Sequence, residues 1–246
     1  MSKQNGKTAI VTGASRGIGA AIARRLADDG FAVIVNFAGA AAEAESQVAL
    51  IRQAGGVATA YQADVSDPRA VHALFEETER AHGGVDVLVN NAGVMFLTTL
   101  AEADDASFER QLAINLRGVF NGLREAARRL RTGGRIVSLS SSVVGLYQPT
   151  YGIYAATKAA VEAMTHVLAN ELRGRNITVN AVAPGPTGTE LFLDGKSPAL
   201  VERLSKLSPL ERLGKPEDIA GLVSFLAGPD GAWVNGQVLR ANGGVI

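Results

Sequence analysis

Short runs rich in β-branched residues alternate with longer alanine- and leucine-rich stretches along most of the chain. The short runs show little polar alternation, which is typical of strands buried on both faces, and the stretches between them have helical spacing. This order predicts right-handed crossovers and a doubly wound parallel sheet of the α/β class. Seven strands are predicted, at residues 8–11, 33–36, 59–61, 85–89, 135–139, 178–183 and 238–240.

No break in composition divides the chain, so its 246 residues predict a single Rossmann-like domain over 1–246. Residues 186–216 interrupt the rhythm with several prolines and glycines around a short helical stretch at 199–206. Inserted segments near strand ends often carry binding residues. We therefore predict a substrate lid at 186–216.

A glycine-rich turn follows the first predicted strand. Residues 12–19 read TGASRGIG, with the spacing G-x-x-x-G-x-G, which is neither the G-x-G-x-x-G fingerprint nor a Walker A loop. Such a turn lets backbone N–H groups and a helix N-terminus approach a pyrophosphate. A tight connection between strand and helix is the alternative.

Small and polar residues also follow the next three strands, at the sheet edge where such folds bind ligands. Asp64 and Val65 follow the third strand, and residues 90–93 (NNAG) follow the fourth. The second strand ends in Asn36, without the acidic residue that commonly binds the ribose of NAD. A carboxylate would repel a 2′-phosphate, whereas Arg16 and Asn36 can donate hydrogen bonds to one. The sequence therefore favours NADP(H).

Tyr154 and Lys158 stand four residues apart on an alanine-rich helical stretch, so both side chains lie on one helix face. A nearby cation lowers the pKa of a tyrosine, which makes the pair suitable for proton transfer. Tyr-x-x-x-Lys also occurs by chance on many helices. The spacing gains meaning from the serines at 140–142, because Ser141 lies 13 positions before Tyr154.

Taken together, these motifs resemble the short-chain dehydrogenase/reductase family from one end of the chain to the other. The resemblance is carried, in the family's order, by residues 12–19, 90–93, Asn115, Ser141, Tyr154, Lys158 and 184–185. Residues 180–186, 190–192, 233–237 and 242–244 are similar in particular to NADPH-dependent aldehyde/ketone reductases. The 3-oxoacyl-[acyl-carrier-protein] reductases share most of the same features.

The resemblance implies a role for each catalytic candidate. Tyr154 would exchange a proton with the substrate oxygen as hydride moves to or from the nicotinamide, and Lys158 would lower the Tyr154 pKa and hold the nicotinamide ribose. Ser141 would hydrogen-bond the substrate oxygen. Ser142 is the alternative, because counting back from residues 143–145 selects it instead. Asn115 would bind a water of a proton relay, or it would simply satisfy backbone groups where its helix bends.

The resemblance also implies a set of cofactor contacts. They are Gly13, Ser15, Arg16, Gly17, Ile18, Gly19, Asn36, Asp64, Val65, Asn91, Ala92, Gly93, Tyr154, Lys158, Pro184, Gly185, Thr187 and Thr189. The Asp64 side chain has a local alternative, a turn with residues 66–68.

Apolar residues near the reactive positions predict a mostly apolar pocket: Val94, Met95, Phe96, Val143, Leu146, Tyr147, Tyr151, Leu191 and Phe192. We therefore expect reduction of a small-molecule aldehyde or ketone to the alcohol. A carrier-protein-linked reductase is the enzyme alternative. The absence of a basic cluster near the predicted lid argues against an acidic carrier protein, although Arg128, Arg129 and Arg131 form a basic helix end that could receive one. A dinucleotide-sensing regulator is the non-enzyme alternative.

Charge and composition limit the partners. Lys+Arg 24 balances Asp+Glu 24, which gives no reason to expect nucleic acid or an anionic membrane. The chain has no cysteine, its three histidines share no ligand spacing, and no catalytic metal is expected. No signal region or spanning run is evident, so we expect a cytoplasmic protein. Apolar residues around the helical stretches 117–130 and 154–172 indicate self-association, and the resemblance implies a homotetramer.

Overall fold

The computed structural model describes residues 5–246, which form a seven-stranded parallel sheet between two layers of helices. The strands are β1 Thr8–Val11, β2 Ala32–Phe37, β3 Val57–Gln62, β4 Val87–Asn90, β5 Arg135–Leu139, β6 Thr178–Pro184 and β7 Val238–Ala241. Their order is β3-β2-β1-β4-β5-β6-β7. All seven predicted strands are present, and the predicted doubly wound Rossmann-like fold is confirmed.

The helices cover the sheet on both faces. They are α1 Gly17–Asp28, α2 Ala41–Gln53, α3 Pro68–His82, α4 Asp105–Gln111, α5 Val119–Arg129, α6 Val143–Leu146, α7 Gly152–Glu171, α8 Glu190–Leu193, α9 Pro198–Ser205 and α10 Pro216–Ala227. Apolar side chains of α1, α2 and α10 bury one face, and those of α3, α5 and α7 bury the other. The strands are therefore apolar on both sides, which explains why their sequences do not alternate.

Two helical features differ from the predicted pattern. A π-helical segment, Leu112–Gly118, joins α4 to α5. At its end Gly118 packs so closely on Val65 that a Cβ would lie 2.6 Å from the Val65 Cγ2 atom. The segment predicted as a lid holds two short helices, α8 and α9, where the sequence indicated only the second.

The order of the strands reverses direction between β1 and β4. Crossovers from these neighbouring strands leave to opposite faces of the sheet, which opens a crevice at their carboxyl ends. Register places Val11 beside Val89 and Asn90 beside Ser138, so the segments that follow β1, β4 and β5 meet at this edge. Among residues 5–246, no helix has both the length and the apolar character needed to cross a membrane.

Candidate functional site

A cleft of about 920 Å³ opens at the carboxyl edge of the sheet. Its lining includes every predicted cofactor contact from Gly13 to Thr189 and three of the four catalytic candidates, namely Ser141, Tyr154 and Lys158. Asn115 is fully buried behind the wall. Residues as far apart in sequence as Gly13 and Thr189 are thus brought into one site by the topology.

The glycine turn is shaped by its contacts with the segment after β4. Gly13 and Gly17 have φ of 62° and 57°, a left-handed conformation that glycine adopts without steric cost. A Cβ at Gly19 would lie 2.4 Å from the Asn91 Nδ2 atom, so no other residue fits there. Asn91 Nδ2 itself donates to the carbonyls of Thr12 and Gly13 at 2.8 and 3.0 Å. The turn is therefore held in place by β4.

The N-terminus of α1 is suited to an anion. Its N-cap residue, Arg16, makes no side-chain cap, and the first turn contains no acidic residue. The first N–H groups of a helix lack intrahelical partners, and the helix dipole favours negative charge beside them. Gly17, Ile18 and Gly19 place these groups on the cleft wall. The residues present thus fit a dinucleotide pyrophosphate.

Asn36 lines the cleft, but its side-chain amide is hydrogen-bonded within the protein. Its side chain is 1% exposed, and its Nδ2 donates to the carbonyls of Ala63 and Tyr61 at 3.0 and 3.2 Å. Its Oδ1 accepts from the Gly13 amide at 3.3 Å. Because its donor is committed to the backbone, the Asn36 side chain is not free to bind a 2′-phosphate. Arg16 remains available to bind a 2′-phosphate. Its Nη1 atom lies 3.3 Å from Glu190 Oε2 in an exposed ion pair.

The Asp64 side chain forms the local turn that the sequence analysis gave as the alternative to a cofactor contact. Its Oδ1 accepts from the Ser66 amide at 2.9 Å and from the Ser66 hydroxyl at 2.7 Å. Asp64 and Val65 nevertheless line the cleft, at the end where Arg110 approaches the Asp64 carboxylate at 4.0 Å.

The three serines after β5 have separate environments. Ser140 is buried and its hydroxyl donates to Glu162 Oε1 at 2.5 Å. The Ser142 hydroxyl, also buried, donates to the Ala183 carbonyl at 3.2 Å and accepts from Asn242 Nδ2 at 3.0 Å. Ser141 alone of the three is partly accessible and hydrogen-bonds toward Tyr154. This geometry favours Ser141 over Ser142 as the serine that faces a substrate.

Tyr154 and Lys158 lie on the same face of α7, as their spacing predicted. The Lys158 Nζ atom is 5.6 Å from the centre of the Tyr154 ring and donates to the Leu139 carbonyl at 2.7 Å. Burial raises the pKa of Tyr154 to about 12, with the Ser141 hydrogen bond acting against this rise, and burial lowers the pKa of Lys158 to about 8. The pKa of Tyr154 is therefore raised where a lowered value was expected, because burial disfavours the charged phenolate.

The low pKa of Lys158 predicts a pH-dependent stability. The unfolded lysine, with a pKa of 10.5, keeps its proton above pH 8, where the folded one loses it. The unfolded state then binds more protons, so the free energy of unfolding rises with pH in this window. Relative to Lys158→Met, the wild-type value should rise by about 2 kcal/mol between about pH 7.5 and 9.5. Urea unfolding measures it.

Lys7→Met provides the control, because it removes a lysine that lies on the surface. Above pH 10 the raised pKa of Tyr154 acts in the other direction, since its unfolded form loses its proton first. A wild-type slope equal to that of Lys158→Met would contradict a buried, titrating lysine.

Asn115 lies in the π-helical segment and fixes the chain after β4. Its Oδ1 accepts from the Val94 amide at 2.9 Å, and its Nδ2 donates to the Val94 carbonyl at 2.8 Å. A Cβ on neighbouring Gly93 would lie 3.4 Å from Asn115 Oδ1 and 3.8 Å from Lys158 Nζ. The Asn115 side chain therefore hydrogen-bonds backbone groups, as the alternative to a water-binding role predicted. These groups belong to Val94, in the segment after β4, and not to the helix that carries Asn115.

Comparison with known proteins agrees with this geometry. The model of the family described as Enoyl-(Acyl carrier protein) reductase matches residues 13–246. A short-chain type dehydrogenase/reductase from Picea abies is 47% identical over 98% of this chain and 93% of its own length. A crystal structure of a dehydrogenase/reductase from Sinorhizobium meliloti 1021 superposes with a TM-score of 0.94 at 43% identity, covering 99% and 97% of the two chains.

This chain belongs to the short-chain dehydrogenase/reductase (SDR) family. Another similar SDR structure, from Burkholderia cenocepacia J2315, was solved in complex with NADP; its TM-score is 0.92 at 40% identity, over 100% of this chain and 99% of that one. An NADPH-dependent aldehyde reductase-like protein from Arabidopsis thaliana, named as chloroplastic, is 44% identical over 98% of this chain and 94% of its own.

The SDR cleft also includes residues that sequence reasoning missed. They include Phe37 to Ala40, Glu43, Arg110, Ile114, Gln148, Leu204 and Leu207. Leu204 and Leu207 could have been found from the sequence. They stand three residues apart at the end of the predicted helical stretch 199–206, so they share one helix face. Phe96 and Tyr147, predicted for the pocket, do not line the cleft, and Tyr147 is 85% exposed.

The basic residues at the end of α5 are paired with acidic ones. Arg129 contacts Glu79 at 3.0 Å and Glu125 at 3.3 Å, and Arg131 contacts Asp86 at 3.0 Å. Arg128 lies 3.8 Å from Glu125. These pairs reduce the positive field of the predicted docking site. Within residues 5–246, no three histidine or acidic side chains are grouped so that they could hold a metal ion.

Proposed function

We propose that this SDR is an NADPH-dependent oxidoreductase that reduces an aldehyde or ketone to the alcohol. The observation that carries the proposal is the Tyr154 hydroxyl, which lies beside Ser141 in the same cleft as the uncapped N-terminus of α1. A proton donor and an anion-binding helix end in one crevice are what hydride transfer to a carbonyl requires.

Each of these side chains has a separate role in the proposed reaction. Bound NADPH supplies the hydride. Tyr154, whose pKa of about 12 keeps it protonated at neutral pH, donates its proton to the carbonyl oxygen as negative charge develops there. Ser141 donates a hydrogen bond to the same oxygen. Lys158, anchored on Leu139, holds a positive charge one helix turn from Tyr154 below about pH 8 and binds the nicotinamide ribose.

Three observations support NADPH over NADH. β2 ends in Asn36 and Phe37, so no carboxylate directly follows this strand. Arg16 lines the cleft beside the glycine turn, and it can exchange its exposed partner Glu190 for a phosphate. Similar proteins are named NADPH-dependent reductases or hold NADP. Glu43, which borders the cleft from α2, is the carboxylate that this preference must overcome.

The function is tested by following nicotinamide absorbance at 340 nm with NADPH or NADH. The panel is a set of aldehydes and ketones, a 3-oxoacyl thioester and an enoyl thioester. Turnover of simple carbonyls with NADPH supports the proposal, whereas a strong thioester preference supports a carrier-protein-linked reductase, the activity type in the matched family's description. Binding of NADPH without any turnover would favour a dinucleotide sensor, and a preference for NADH would contradict the cofactor assignment.

Ser141 and Ser142 should respond differently to alanine. Ser141→Ala is expected to lower kcat by about 100-fold with little loss of stability, because its hydroxyl faces the cleft. Ser142→Ala should leave kcat within about threefold, and it should destabilise the fold by about 1–3 kcal/mol, since the buried Ala183 carbonyl loses its hydroxyl donor and the partly buried Asn242 amide loses an acceptor. Steady-state kinetics and urea unfolding of the pair decide this, and the reverse pattern would make Ser142 the substrate-facing residue.

A homotetramer and a cytoplasmic location remain part of the proposal. Exposed Phe120 on α5 and Val167 on α7, at 47% and 56%, support burial of these helices in a subunit interface. Sedimentation velocity would measure the assembly.

A further inference from the structure

Charge is distributed unevenly along the cleft. Among the described residues that line it, six are charged: Arg16, Glu43, Asp64, Arg110, Lys158 and Glu190. Arg16 pairs with Glu190 beside the glycine turn, and Arg110 approaches Asp64 beyond β3. Lys158 lies beside Tyr154, the proposed proton donor. The walls beyond Tyr154 therefore contribute no side chain that would neutralise a charged substrate.

Those walls are apolar. Met95, Val143, Leu146, Phe192, Leu204 and Leu207 line the same cleft as Tyr154 and come from four separate segments of the chain. Gln148 adds an amide at the rim, and it is exposed. A carboxylate placed among these side chains would lose its hydration without gaining a partner, which disfavours its binding.

Tyr151 forms an aromatic wall next to the reactive position. Its ring centre lies 6.4 Å from that of Tyr154, with the two planes at 68°, and burial raises the pKa of its hydroxyl. Side chains with flat apolar faces favour ring-bearing ligands through offset or edge contacts.

The turn before Tyr151 is strained. Tyr147 and Thr150 have φ of 49° and 71°, and for a β-branched residue such as threonine this conformation is unfavourable. The Thr150 carbonyl accepts from the Thr98 amide at 3.2 Å, which fastens the turn to the segment after β4. Backbone strain of this kind persists where the surrounding structure enforces it and is concentrated at ligand sites.

From these contacts we infer that Tyr151 sets substrate choice, as the wall against which an uncharged, ring-bearing carbonyl compound lies. The inference rests on the proposed reductase function and adds the class of substrate. Small aliphatic aldehydes would react without using this wall, and carboxylated or phosphorylated carbonyls would be excluded by the uncharged lining.

Two aldehyde pairs test the inference. Propanal and benzaldehyde differ in the ring, while 4-methylbenzaldehyde and 4-formylbenzoate share a shape and differ in charge. We expect kcat/KM to be at least about tenfold higher for benzaldehyde than for propanal. The value for 4-formylbenzoate should be at least about 100-fold below that of 4-methylbenzaldehyde. The carboxylate does not make the carbonyl less electrophilic than the methyl group does, so the loss reports the cleft.

Variants then assign the effect to one ring. Tyr151→Ala should lower kcat/KM for benzaldehyde by about tenfold, mainly through KM, and change that for propanal by less than about threefold. Tyr147→Ala is the matched control, because it removes an exposed ring from the same turn and should change neither value. An equal loss for both aldehydes in Tyr151→Ala, or equal rates for the two charge isosteres, would overturn the inference. Failure of all four aldehydes with bound NADPH would instead contradict the reductase function.

Discussion

Replacing Tyr154 by phenylalanine is expected to lower kcat for carbonyl reduction by about 10²–10⁴-fold, the range that a positioned general acid contributes. Phenylalanine keeps the ring that packs beside Tyr151 and Lys158, and it removes only the hydroxyl. The developing alkoxide then has Ser141 as a hydrogen-bond donor but has lost the hydroxyl proposed to transfer the proton.

The same change should leave binding and folding nearly intact. The affinity for NADPH, measured by nucleotide fluorescence, should stay within about threefold, because the proposed site of the cofactor phosphates is the glycine turn rather than Tyr154. The free energy of unfolding should change by less than about 1.5 kcal/mol, since the lost hydroxyl is one hydrogen-bonding group. This split between kcat and binding separates a chemical role for Tyr154 from a structural one.

Tyr147→Phe is the matched control, because it removes a phenolic hydroxyl that lies outside the cleft and should not change kcat. A Tyr154→Phe enzyme that retained more than a tenth of wild-type kcat would show that another group donates the proton.

Replacing Asn36 by aspartate is expected to destabilise the protein by about 3–5 kcal/mol, a size typical of leaving an unpaired charge in a protein interior. The Asn36 amide donates to the carbonyls of Ala63 and Tyr61. A carboxylate has no proton to donate, so it would face both oxygens at hydrogen-bond distance from a site that is 1% exposed.

This prediction opposes a plausible engineering argument. An acidic residue at the end of β2 commonly binds the ribose of NAD, so aspartate at position 36 would be expected to change the cofactor preference from NADPH to NADH. Here the side chain at position 36 is turned into the protein, so Asn36→Asp should weaken both cofactors by loosening the turn at Gly13 rather than improve NADH.

Urea unfolding, with NADPH and NADH affinities on the same samples, measures both expectations. Asn170→Asp is the control, because its amide donates to the His166 carbonyl at an exposed position and its loss should cost less than about 0.5 kcal/mol. An Asn36→Asp protein with unchanged stability and tighter NADH binding would refute the assignment of Asn36 to the backbone.

Sequence alone determined the topology and the membership of the site. Seven apolar runs separated by helical stretches specify a parallel sheet, because strands buried on both faces and crossover helices leave few other arrangements. The segments that follow β1, β3, β4, β5 and β6 must then meet at one edge. For this reason the strand pattern predicts that the glycine turn and the serines after β5 lie at one edge, and the family resemblance adds the Tyr154–Lys158 pair to that site.

The tertiary structure decided which polar atoms remain free for a ligand. Asn36, Asn91 and Asn115 have the amides that a cofactor site would use, yet each donates to backbone carbonyls of a segment distant in sequence. The pKa of Tyr154 likewise depends on burial, which the four-residue spacing to Lys158 does not reveal. Sequence periodicity reports which face a residue occupies, whereas hydrogen-bond partners and desolvation depend on atoms that only the folded chain brings together.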